Sequence, residues 1–417
     1  MEMHENEQRA TRALLISVDY GAFDAQASME ELYALAESAG AEVVGSMIQK
    51  LDKPIGASYV GSGRLEELVG MCAAQEIDLI IADDELTPVQ IRTIEDATDV
   101  RVIDRTMLIL DIFALRANSK EGKLQVEAAQ LRYMMPRLTG KGIQMSRQGG
   151  GIGTRGPGES KLETDRRHIR RKLESLEEKL DEIEKRREQL RRRRKKEGVI
   201  TAAIVGYTNA GKSTLMNYLT DAGVLEKDQL FATLDPTSRA LKLPNGVSVM
   251  LIDTVGFVRR LPHQLVKAFR STLEEAATAD IIINVCDASS EEALLHLDVT
   301  KKLLEELGCA DTPMITVYNK SDLLGGGAVI TGISGGVHIS AKKGTGIDAL
   351  LTAIEDNLPV RMHRVKLLLP FDKAGLASQI RKSGTLFSEE YTAQGVELDA
   401  LVDDKLYAKV SAYEKKQ

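Results

Sequence analysis

One octapeptide, residues 206–213, limits the possible folds of this chain more than any other segment, and it reads Gly-Tyr-Thr-Asn-Ala-Gly-Lys-Ser. It matches the pattern G-x-x-x-x-G-K-[ST]. It follows a short apolar run at residues 200–205, which is typical of a buried strand, and it opens a segment predicted to be a helix. A strand, a glycine loop and a helix in this order form the context in which the pattern binds phosphate. The sequence therefore predicts a nucleotide-binding α/β domain.

The predicted loop carries the groups that phosphates and a divalent cation require. Its glycines let backbone amides wrap around phosphate oxygens at the positive end of a helix. We predict that Lys212 is catalytic because it reaches the β- and γ-phosphates, and that the Ser213 hydroxyl is a ligand of Mg²⁺, the expected cofactor. The predicted GTP-binding residues of this segment are Gly206, Tyr207, Thr208, Asn209, Ala210, Gly211, Lys212, Ser213 and Thr214.

A second motif, Asp253-Thr254-Val255-Gly256, ends the predicted strand at residues 247–252. The Asp253 carboxylate can hold Mg²⁺ there through a water molecule, and the Gly256 amide can lie near the γ-phosphate. All four residues are therefore predicted to bind GTP, with Gly256 as a catalytic residue.

Two further motifs point to the base. Asn319-Lys320-Ser321-Asp322 follows the predicted strand at residues 314–318. A carboxylate at that place can accept hydrogen bonds from guanine N1–H and the 2-amino group, which adenine cannot offer, so a buried carboxylate would reject adenine by being left unpaired. Backbone amides of a later segment then close the pocket. The predicted base-pocket residues are Asn319, Lys320, Asp322, Ser340, Ala341 and Lys342.

With these four motifs in order, the chain resembles the translation-factor-type GTPases. The resemblance implies that Asn319 and Asp322 read guanine and that residues 231–237 form the first switch. Thr233 is then the threonine expected to meet Mg²⁺ and the γ-phosphate, as a catalytic and metal-binding residue, and Thr237 is the alternative. The predicted nucleotide contacts of this switch are Phe231, Ala232 and Thr233.

One residue departs from the pattern of many small GTPases. Phe257 follows the second motif, where those proteins have a Gln that orients the attacking water. A phenyl ring forms no hydrogen bond to water, so we expect slow intrinsic hydrolysis that a partner or another residue accelerates. The alternative is that Phe257 simply packs under the switch. Arg259 and Arg260 are close enough in sequence to act as a charge-stabilising finger, or they are ordinary surface arginines.

The regions on either side of the motifs predict a four-part chain. Short apolar runs alternate with helical spacing before residue 116, which predicts a parallel α/β domain at residues 1–115, with Thr87 and Pro88 starting one helix. Alternation returns at residues 199–361, where Asn245-Gly246 predicts a β-hairpin inside a Ras-like P-loop domain. The remainder, residues 362–417, predicts a small α+β domain.

Residues 116–198 differ from these regions in their hydrophobic pattern. Leu124, Ala128, Leu131, Met135 and Leu138 form one heptad seam. A second seam consists of Ile169, Leu173, Leu176, Leu180, Ile183 and Leu190. Residues 140–158 between them contain eight glycines. Two seamed helices joined by a flexible segment predict an antiparallel helical hairpin with a mobile tip, and Pro136 is expected to kink or end its first helix.

This glycine-rich block next to a GTPase domain closely resembles the HflX family of GTPases, over essentially the whole chain. The resemblance is carried by residues 147–159 and 161–167, together with 104–106 and 121–127. It implies binding to the large (50S) ribosomal subunit and its rRNA, and a role in splitting ribosomes or rescuing stalled ones. The hairpin loop is then expected to meet RNA phosphates through Lys141, Arg147 and Arg155, with GTP and GDP as the small-molecule partners.

The charge distribution agrees with a polyanionic partner. The composition argues against a membrane-spanning protein and against one stabilised by disulfides or a zinc cluster. The chain holds 55 Lys and Arg against 62 Asp and Glu, yet residues 165–197 hold 15 Lys and Arg against nine Asp and Glu. A solvated helix face is the alternative meaning of this charge. The start of the chain lacks the pattern of a signal peptide, no apolar run is long enough to span a membrane, and three separated cysteines offer no disulfide framework or zinc cluster. We therefore expect a cytoplasmic protein, and we predict that it is a monomer.

Two other functions stay open on the sequence. One is a nucleotide-gated scaffold for ribosome assembly, in which hydrolysis matters little. The other is an ATP-dependent RNA-remodelling enzyme that uses the N-terminal domain, where Gly61-Ser62-Gly63-Arg64 could cradle a phosphate or could be a strand-to-helix turn.

Overall fold

The structure is a computed structural model, and contacts divide the chain into two compact units. Residues 9–139, 157–220, 231, 237–260, 262, 265, 275–324, 335–359 and 362–415 are described, with backbone alone at 138–139, 157–162, 362, 374 and 383. The first unit consists of Met1–Gln189, Lys227–Asp235 and Gly256–Ser271, and the second of Leu190–Glu226, Pro236–Val255 and Thr272–Gln417. Phe231, in the predicted first switch, and Gly256, in the second motif, thus belong to the first unit.

The N-terminal region of the first unit is a parallel sheet of order β2-β1-β3-β4, as predicted. Its strands are β1 (Thr11–Asp19), β2 (Ala41–Lys50), β3 (Leu79–Ala82) and β4 (Arg101–Asp104), and its helices are α1 (Ala25–Ser38), α2 (Ser62–Gln75), α3 (Pro88–Thr98) and α4 (Arg105–Arg116). Thr87 and Gln90 form a reciprocal capping box and Pro88 stands in the first turn of α3, which confirms the predicted helix start.

Helix α4 was not predicted. It runs directly from β4, and Asp104 caps it by accepting a hydrogen bond from the Met107 amide at 3.0 Å. Seven of its twelve residues are buried, including Arg105 and Phe113, and its less buried face carries the apolar residues Met107, Ala114 and Leu115. A helix without a polar face gives no 3.6-residue alternation of polar and apolar residues, so the periodicity that locates surface helices is absent.

The predicted helical hairpin consists of α5 (Lys120–Met134) and α6 (Pro157–Lys196). A short 3₁₀ turn, Met135–Thr139, follows α5, so the α-helix ends just before Pro136 as expected. Ala128 packs on Leu173 and Leu176. The hairpin is antiparallel, because Glu121 pairs with Arg187 at 2.7 Å whereas Glu127 pairs with Lys172. The predicted mobile tip and its Lys141, Arg147 and Arg155 lie outside the described residues, and Leu190, the last seam residue, is exposed.

The second unit contains the predicted P-loop domain. Its sheet has the order β10-β9-β8-β5-β7-β6, and only β6 is antiparallel to its neighbour, through the Asn245-Gly246 turn. The strands are β5 (Ile200–Gly206), β6 (Thr237–Lys242), β7 (Ser248–Asp253), β8 (Ile281–Asp287), β9 (Met314–Asn319) and β10 (Val337–His338). The helices are α7 (Lys212–Thr220), α8 (Ala293–Glu306) and α9 (Ile347–Asp356).

The same unit ends in the small α+β domain. An antiparallel sheet of order β11-β13-β12 is formed by β11 (Met362–Leu369), β12 (Thr385–Thr392) and β13 (Gly395–Asp403), and carries α10 (Ala374–Ser383) and α11 (Asp404–Val410). Leu401 belongs to the hydrophobic core of the P-loop domain, and Phe387 packs against that core. Gly246, at φ +93°, lies against the Phe387 ring, where a Cβ atom would come within 2.7 Å. Among the helices of the described residues, none combines the length and the apolar character that a membrane span requires.

Candidate functional site

The phosphate-loop motif occupies the turn between β5 and α7, and its two glycines are required by close contacts. Gly206 has φ +145°, and a Cβ atom there would lie 2.1 Å from the Val285 carbonyl oxygen on β8. Gly211 has φ +88°, and a Cβ atom there would lie 2.2 Å from Asn319 Nδ2. Both backbone angles fall in the region that favours glycine. The neighbouring strands therefore fix the course of the loop.

Lys212 is the buried cation of this site. Only 7% of the residue is exposed, and its Nζ donates to the Tyr207 carbonyl oxygen at 2.8 Å. Burial lowers the pKa of Lys212 to about 8, although the Asp253 charge acts in the opposite direction. The ammonium is thus only partly compensated by the protein, which is the electrostatic condition that favours an anionic ligand.

Ser213 and Asp253 form an oxygen pair beside the lysine. Ser213 Oγ donates to Asp253 Oδ2 at 3.0 Å, and Asp253, at the end of β7, is 2% exposed. Hydroxyl and carboxylate oxygens are donors that suit Mg²⁺, which commonly completes its octahedron with water and phosphate. No cluster of three or more His, Cys, Asp or Glu in the described residues could hold a metal ion. The two residues therefore fit a cation that arrives with a nucleotide.

The second motif is also tied to the sheet. Thr254 Oγ1 donates to the Ile204 carbonyl oxygen at 2.8 Å, and Val255 is buried. Thr237, the alternative switch threonine, pairs in register with Asp253 across β6 and β7. Thr233 and Ala232 lie outside the described residues.

Asn319 links two predicted parts of the site. Its Nδ2 donates to the Ala210 carbonyl oxygen at 2.9 Å, and its Oδ1 accepts from the Ala341 amide at 2.9 Å. The side chain therefore joins the phosphate loop to the segment predicted to close the base pocket. Its buried amide is engaged at both ends, so the geometry assigns it a bracing role in addition to any contact with the base.

The predicted guanine-reading carboxylate lies in the turn after β9. A side-chain hydrogen bond with Ser340 is the main cause that lowers the pKa of Asp322, and Lys343 adds to it from 3.5 Å. Asp322 is therefore an ionised acceptor at neutral pH. Lys320, at φ +62°, directs its Nζ to Asp287 Oδ2 at 2.8 Å and so closes the turn onto β8.

Phe231, unlike the residues of the phosphate loop, belongs to the first unit. Its buried ring meets Phe113 of α4 edge to face, with the ring centroids 4.7 Å apart. Phe257 is also fully buried. Gly256 belongs to the first unit, with the residues that follow it.

A buried charge cluster in the first unit was not predicted, and we call it the arginine cluster. It contains three arginines, Arg105, Arg259 and Arg260, and three carboxylates, Glu31, Asp83 and Asp84. Asp83 receives Arg105 at 2.8 Å and Arg260 at 3.0 Å. Arg105 also donates to the Arg259 carbonyl oxygen at 3.2 Å. The two arginines considered as a finger thus contact carboxylates of α1 and of the turn after β3. Their pairing across long sequence distances left no local signal.

The glycine turn of the N-terminal domain starts a helix. Gly61 caps α2, and its amide donates to Gln49 Oε1 at 2.8 Å. These glycines therefore mark the start of α2, and β2 ends earlier, at Lys50, so the turn does not join a strand directly to the helix.

Comparison with protein families gives three successive matches. Residues 26–114 match a model described as GTP-binding GTPase N-terminal, and residues 116–194 match GTP-binding GTPase Middle Region. Residues 201–320 match a model described as 50S ribosome-binding GTPase.

Individual relatives match over nearly the full chain. GTPase HflX of Caldanaerobacter subterraneus subsp. tengcongensis is 50% identical over 96% of this chain and 93% of its own length. GTPase HflX of Escherichia coli is 38% identical over 96% of this chain and 93% of its own length. Among solved structures, a GTP-binding protein of Sulfolobus solfataricus in complex with GDP is 28% identical, covering 84% of this chain and 98% of that chain, with a TM-score of 0.44.

Proposed function

Because the chain belongs to the HflX family of GTPases and is a GTP-hydrolysing enzyme, we propose that it acts on the large (50S) ribosomal subunit and couples GTP binding and hydrolysis to ribosome splitting or to the rescue of stalled ribosomes. The observation that carries the nucleotide part is the buried, under-compensated Lys212 beside the Ser213–Asp253 pair. The description of the family model supports the ribosomal part.

In this proposal the loop binds the phosphates and Lys212 orients them. The Lys212 ammonium donates to the Tyr207 carbonyl oxygen in the structure, and in the proposal it would contact the β- and γ-phosphates when nucleotide binds. Ser213 and Thr233, and Asp253 through water, would hold Mg²⁺. When bound, this ion neutralises charge on the phosphate oxygens during transfer. Gly256 would donate its amide to the γ-phosphate.

Base selection follows from Asp322 in the same scheme. An ionised carboxylate accepts from guanine N1–H and the 2-amino group, and adenine leaves it without donors. Ser340, Ala341 and Lys342 would complete the pocket, with Asn319 holding that segment against the phosphate loop.

The proposal includes slow chemistry in the free protein. The buried Phe257 ring forms no hydrogen bond to water, so the catalytic water would be positioned only when the ribosome or another residue supplies a donor or acceptor. Regulation by the partner is then the expected behaviour.

RNA contact is assigned to the hairpin. The second half of α6 exposes basic side chains, among them Arg186, Arg192, Arg193, Lys195 and Lys196. Exposed lysines and arginines bind phosphates without reading sequence, and such binding weakens steeply with salt. Lys141, Arg147 and Arg155 in the loop would add contacts of the same kind.

GTP turnover with and without purified 50S subunits tests the whole proposal. We expect turnover to rise at least about tenfold with 50S subunits, because a partner can complete a deficient catalytic site. Raising the salt from 50 to 200 mM should weaken the binding that underlies the stimulation, by about tenfold or more. Lys212→Ala is the control for turnover by a contaminant. Absence of both stimulation and 50S binding would overturn the ribosomal role.

Nucleotide competition tests the base assignment. Excess ATP should fail to displace labelled GDP from the wild type, and Asp322→Ala should weaken GDP at least about tenfold without gaining ATP. Asp356→Ala, an exposed change on α9, is the matched control. Equal affinity of the wild type for adenine and guanine nucleotides would refute the assignment.

A further inference from the structure

The phosphate loop has a contact that none of the nucleotide motifs accounts for. The ring of Tyr207, the residue after Gly206, stacks on the imidazole of His296, with the centroids 3.8 Å apart and the planes at 16°. Tyr207 is 6% exposed and the His296 side chain 14%. The stack is therefore nearly shielded from water, at the edge of the loop expected to receive phosphates.

His296 stands on a well-anchored helix. It lies in the first turns of α8, where the Cys286 thiol of β8 donates to the Ala293 carbonyl oxygen at 3.3 Å. One turn later the buried Thr300 hydroxyl donates to the His296 carbonyl oxygen at 2.8 Å. The imidazole thus presents a fixed surface, held by the central strand of the sheet.

Tyr207 connects the fixed imidazole of His296 to Lys212. Its ring stacks on His296, while its own carbonyl oxygen accepts the Lys212 ammonium. On the other side, Gly206 is fixed by its close approach to Val285. With the ring held and the preceding residue fixed, the orientation of the Tyr207 peptide is restricted.

We propose that His296 is a positioning residue for nucleotide binding, which acts through Tyr207 to preorganise the phosphate loop and the Lys212 ammonium. The inference rests on the proposed role of Lys212 and extends it to a residue outside all four motifs. Without the stack, the loop must be ordered when the nucleotide binds, and that ordering weakens affinity.

The predicted kinetic signature is a change in KM without a change in kcat. The ordered loop is needed equally in the ground state and in the transition state, so its loss removes uniform binding. An aromatic stack of this geometry corresponds to a factor of about three to ten in affinity. His296→Ala should therefore raise KM for GTP and Kd for GDP by about three- to tenfold, while kcat stays within twofold.

The chain provides a matched control. His363 stacks on Tyr407 in the C-terminal domain with nearly the same geometry, 4.0 Å between centroids and 13° between planes. His363→Ala removes an equivalent stack from the same unit and should leave KM, kcat and the Kd for GDP unchanged. His296→Phe keeps a flat ring at the loop and should restore affinity to within about twofold of the wild type.

A double-mutant cycle tests the route through Tyr207. Tyr207→Ala should weaken GDP as His296→Ala does, and the double variant should be no weaker than the weaker single variant. Thermal melting of each variant, with GDP absent, identifies a variant that has lost its fold, in which case His296→Phe and His363→Ala carry the comparison.

The outcomes separate this inference from the proposed function. If the wild type fails to bind guanine nucleotides, the proposed function is wrong. If it binds them and His296→Ala has wild-type affinity, or if His363→Ala weakens GDP equally, the positioning role of His296 is wrong. Additive effects of the two single variants would refute the route through Tyr207.

Discussion

Two buried cationic sites in the molecule are compensated in opposite ways. At the phosphate loop, Lys212 has a carbonyl oxygen at its ammonium, and burial outweighs the Asp253 charge so that its pKa falls to about 8. In the arginine cluster, three guanidinium groups meet three carboxylates, with Asp83 bridging Arg105 and Arg260. At the first site burial outweighs the one nearby carboxylate, Asp253, whereas at the second site three carboxylates match three guanidinium groups.

The difference separates a binding site from an architectural one. An under-compensated buried cation destabilises the free protein and gains most when an anion arrives. A balanced cluster gains nothing from a further ion and loses much when one member is removed. Burial of charge alone is therefore a poor guide to function, and the state of compensation is the more informative property.

The largest expected effect is on stability, from breaking the balanced site. Asp83→Ala would leave the buried Arg105 and the half-buried Arg260 without their shared carboxylate, and we expect a loss of about 3–5 kcal/mol in the free energy of unfolding of the N-terminal region. Urea unfolding measured with a probe in this region checks the value. Asp96→Ala, an exposed change on α3, should alter it by less than about 0.5 kcal/mol. Equal effects of both changes would contradict the comparison.

Removing the cation at the phosphate loop should weaken nucleotide binding without lowering the stability of the protein. Lys212→Met removes the buried ammonium, so we expect the affinity for GDP to fall by about a hundredfold, as for a lost charge-assisted contact in a buried site. The melting temperature without nucleotide should stay equal or rise, because a buried charge that Asp253 compensates only partly has been removed. Lys301→Met, at an exposed position of α8, is the control for both measurements. A clear fall in melting temperature for Lys212→Met alone would show that the two sites are alike.

Arg260→Ala tests the contribution of one arginine of the cluster. Its side chain is 27% exposed, and Arg105 remains to compensate Asp83, so we expect a loss of about 1–2 kcal/mol in stability, smaller than for Asp83→Ala. Because the guanidinium is engaged by Asp83 and Asp84, intrinsic kcat should stay within about threefold. A fall of a thousandfold in kcat with unchanged stability would instead identify Arg260 as a catalytic finger.

The smallest expected effect is on pH dependence. Lys212 loses its proton near pH 8 in the free protein, against an ordinary lysine pKa of 10.5, and phosphate favours the ammonium. Affinity for GDP should therefore fall about fourfold between pH 7 and pH 8.5. The unfolded chain holds this proton to higher pH than the folded one, so stability should rise, not fall, from pH 8 to 10.5. Neither trend is expected in Lys212→Met, and a flat affinity profile in the wild type would contradict the lowered pKa.

Local sequence was sufficient where the physics is local. The glycine loop before Lys212, the Asn245-Gly246 hairpin and the start of α3 at Pro88 depend on backbone angles and caps within a few residues, and the structure has all three as predicted. The alternation of strands and helices predicted the class of both α/β sheets. It did not predict the order of their strands, which the structure shows.

What could not be predicted depends on contacts between distant segments. The less buried face of helix α4 is largely apolar, so the helix shows no amphipathic pattern in its sequence. Arg260 meets Asp83 and Tyr207 meets His296 across separations that no short motif encodes. The roles assigned to Thr233, Lys141, Arg147 and Arg155 stay predictions, since these positions lie outside the described residues.

The packing of the last sheet has a practical consequence for dissecting the molecule. Because Leu401 completes the core of the P-loop domain and Phe387 covers the Gly246 turn, the C-terminal segment is part of the packed structure of that domain. A truncated protein that stops after α9 would expose apolar surface that the full chain covers, and it would be prone to aggregation. Minimal catalytic fragments should therefore keep β12 and β13, which carry Phe387 and Leu401.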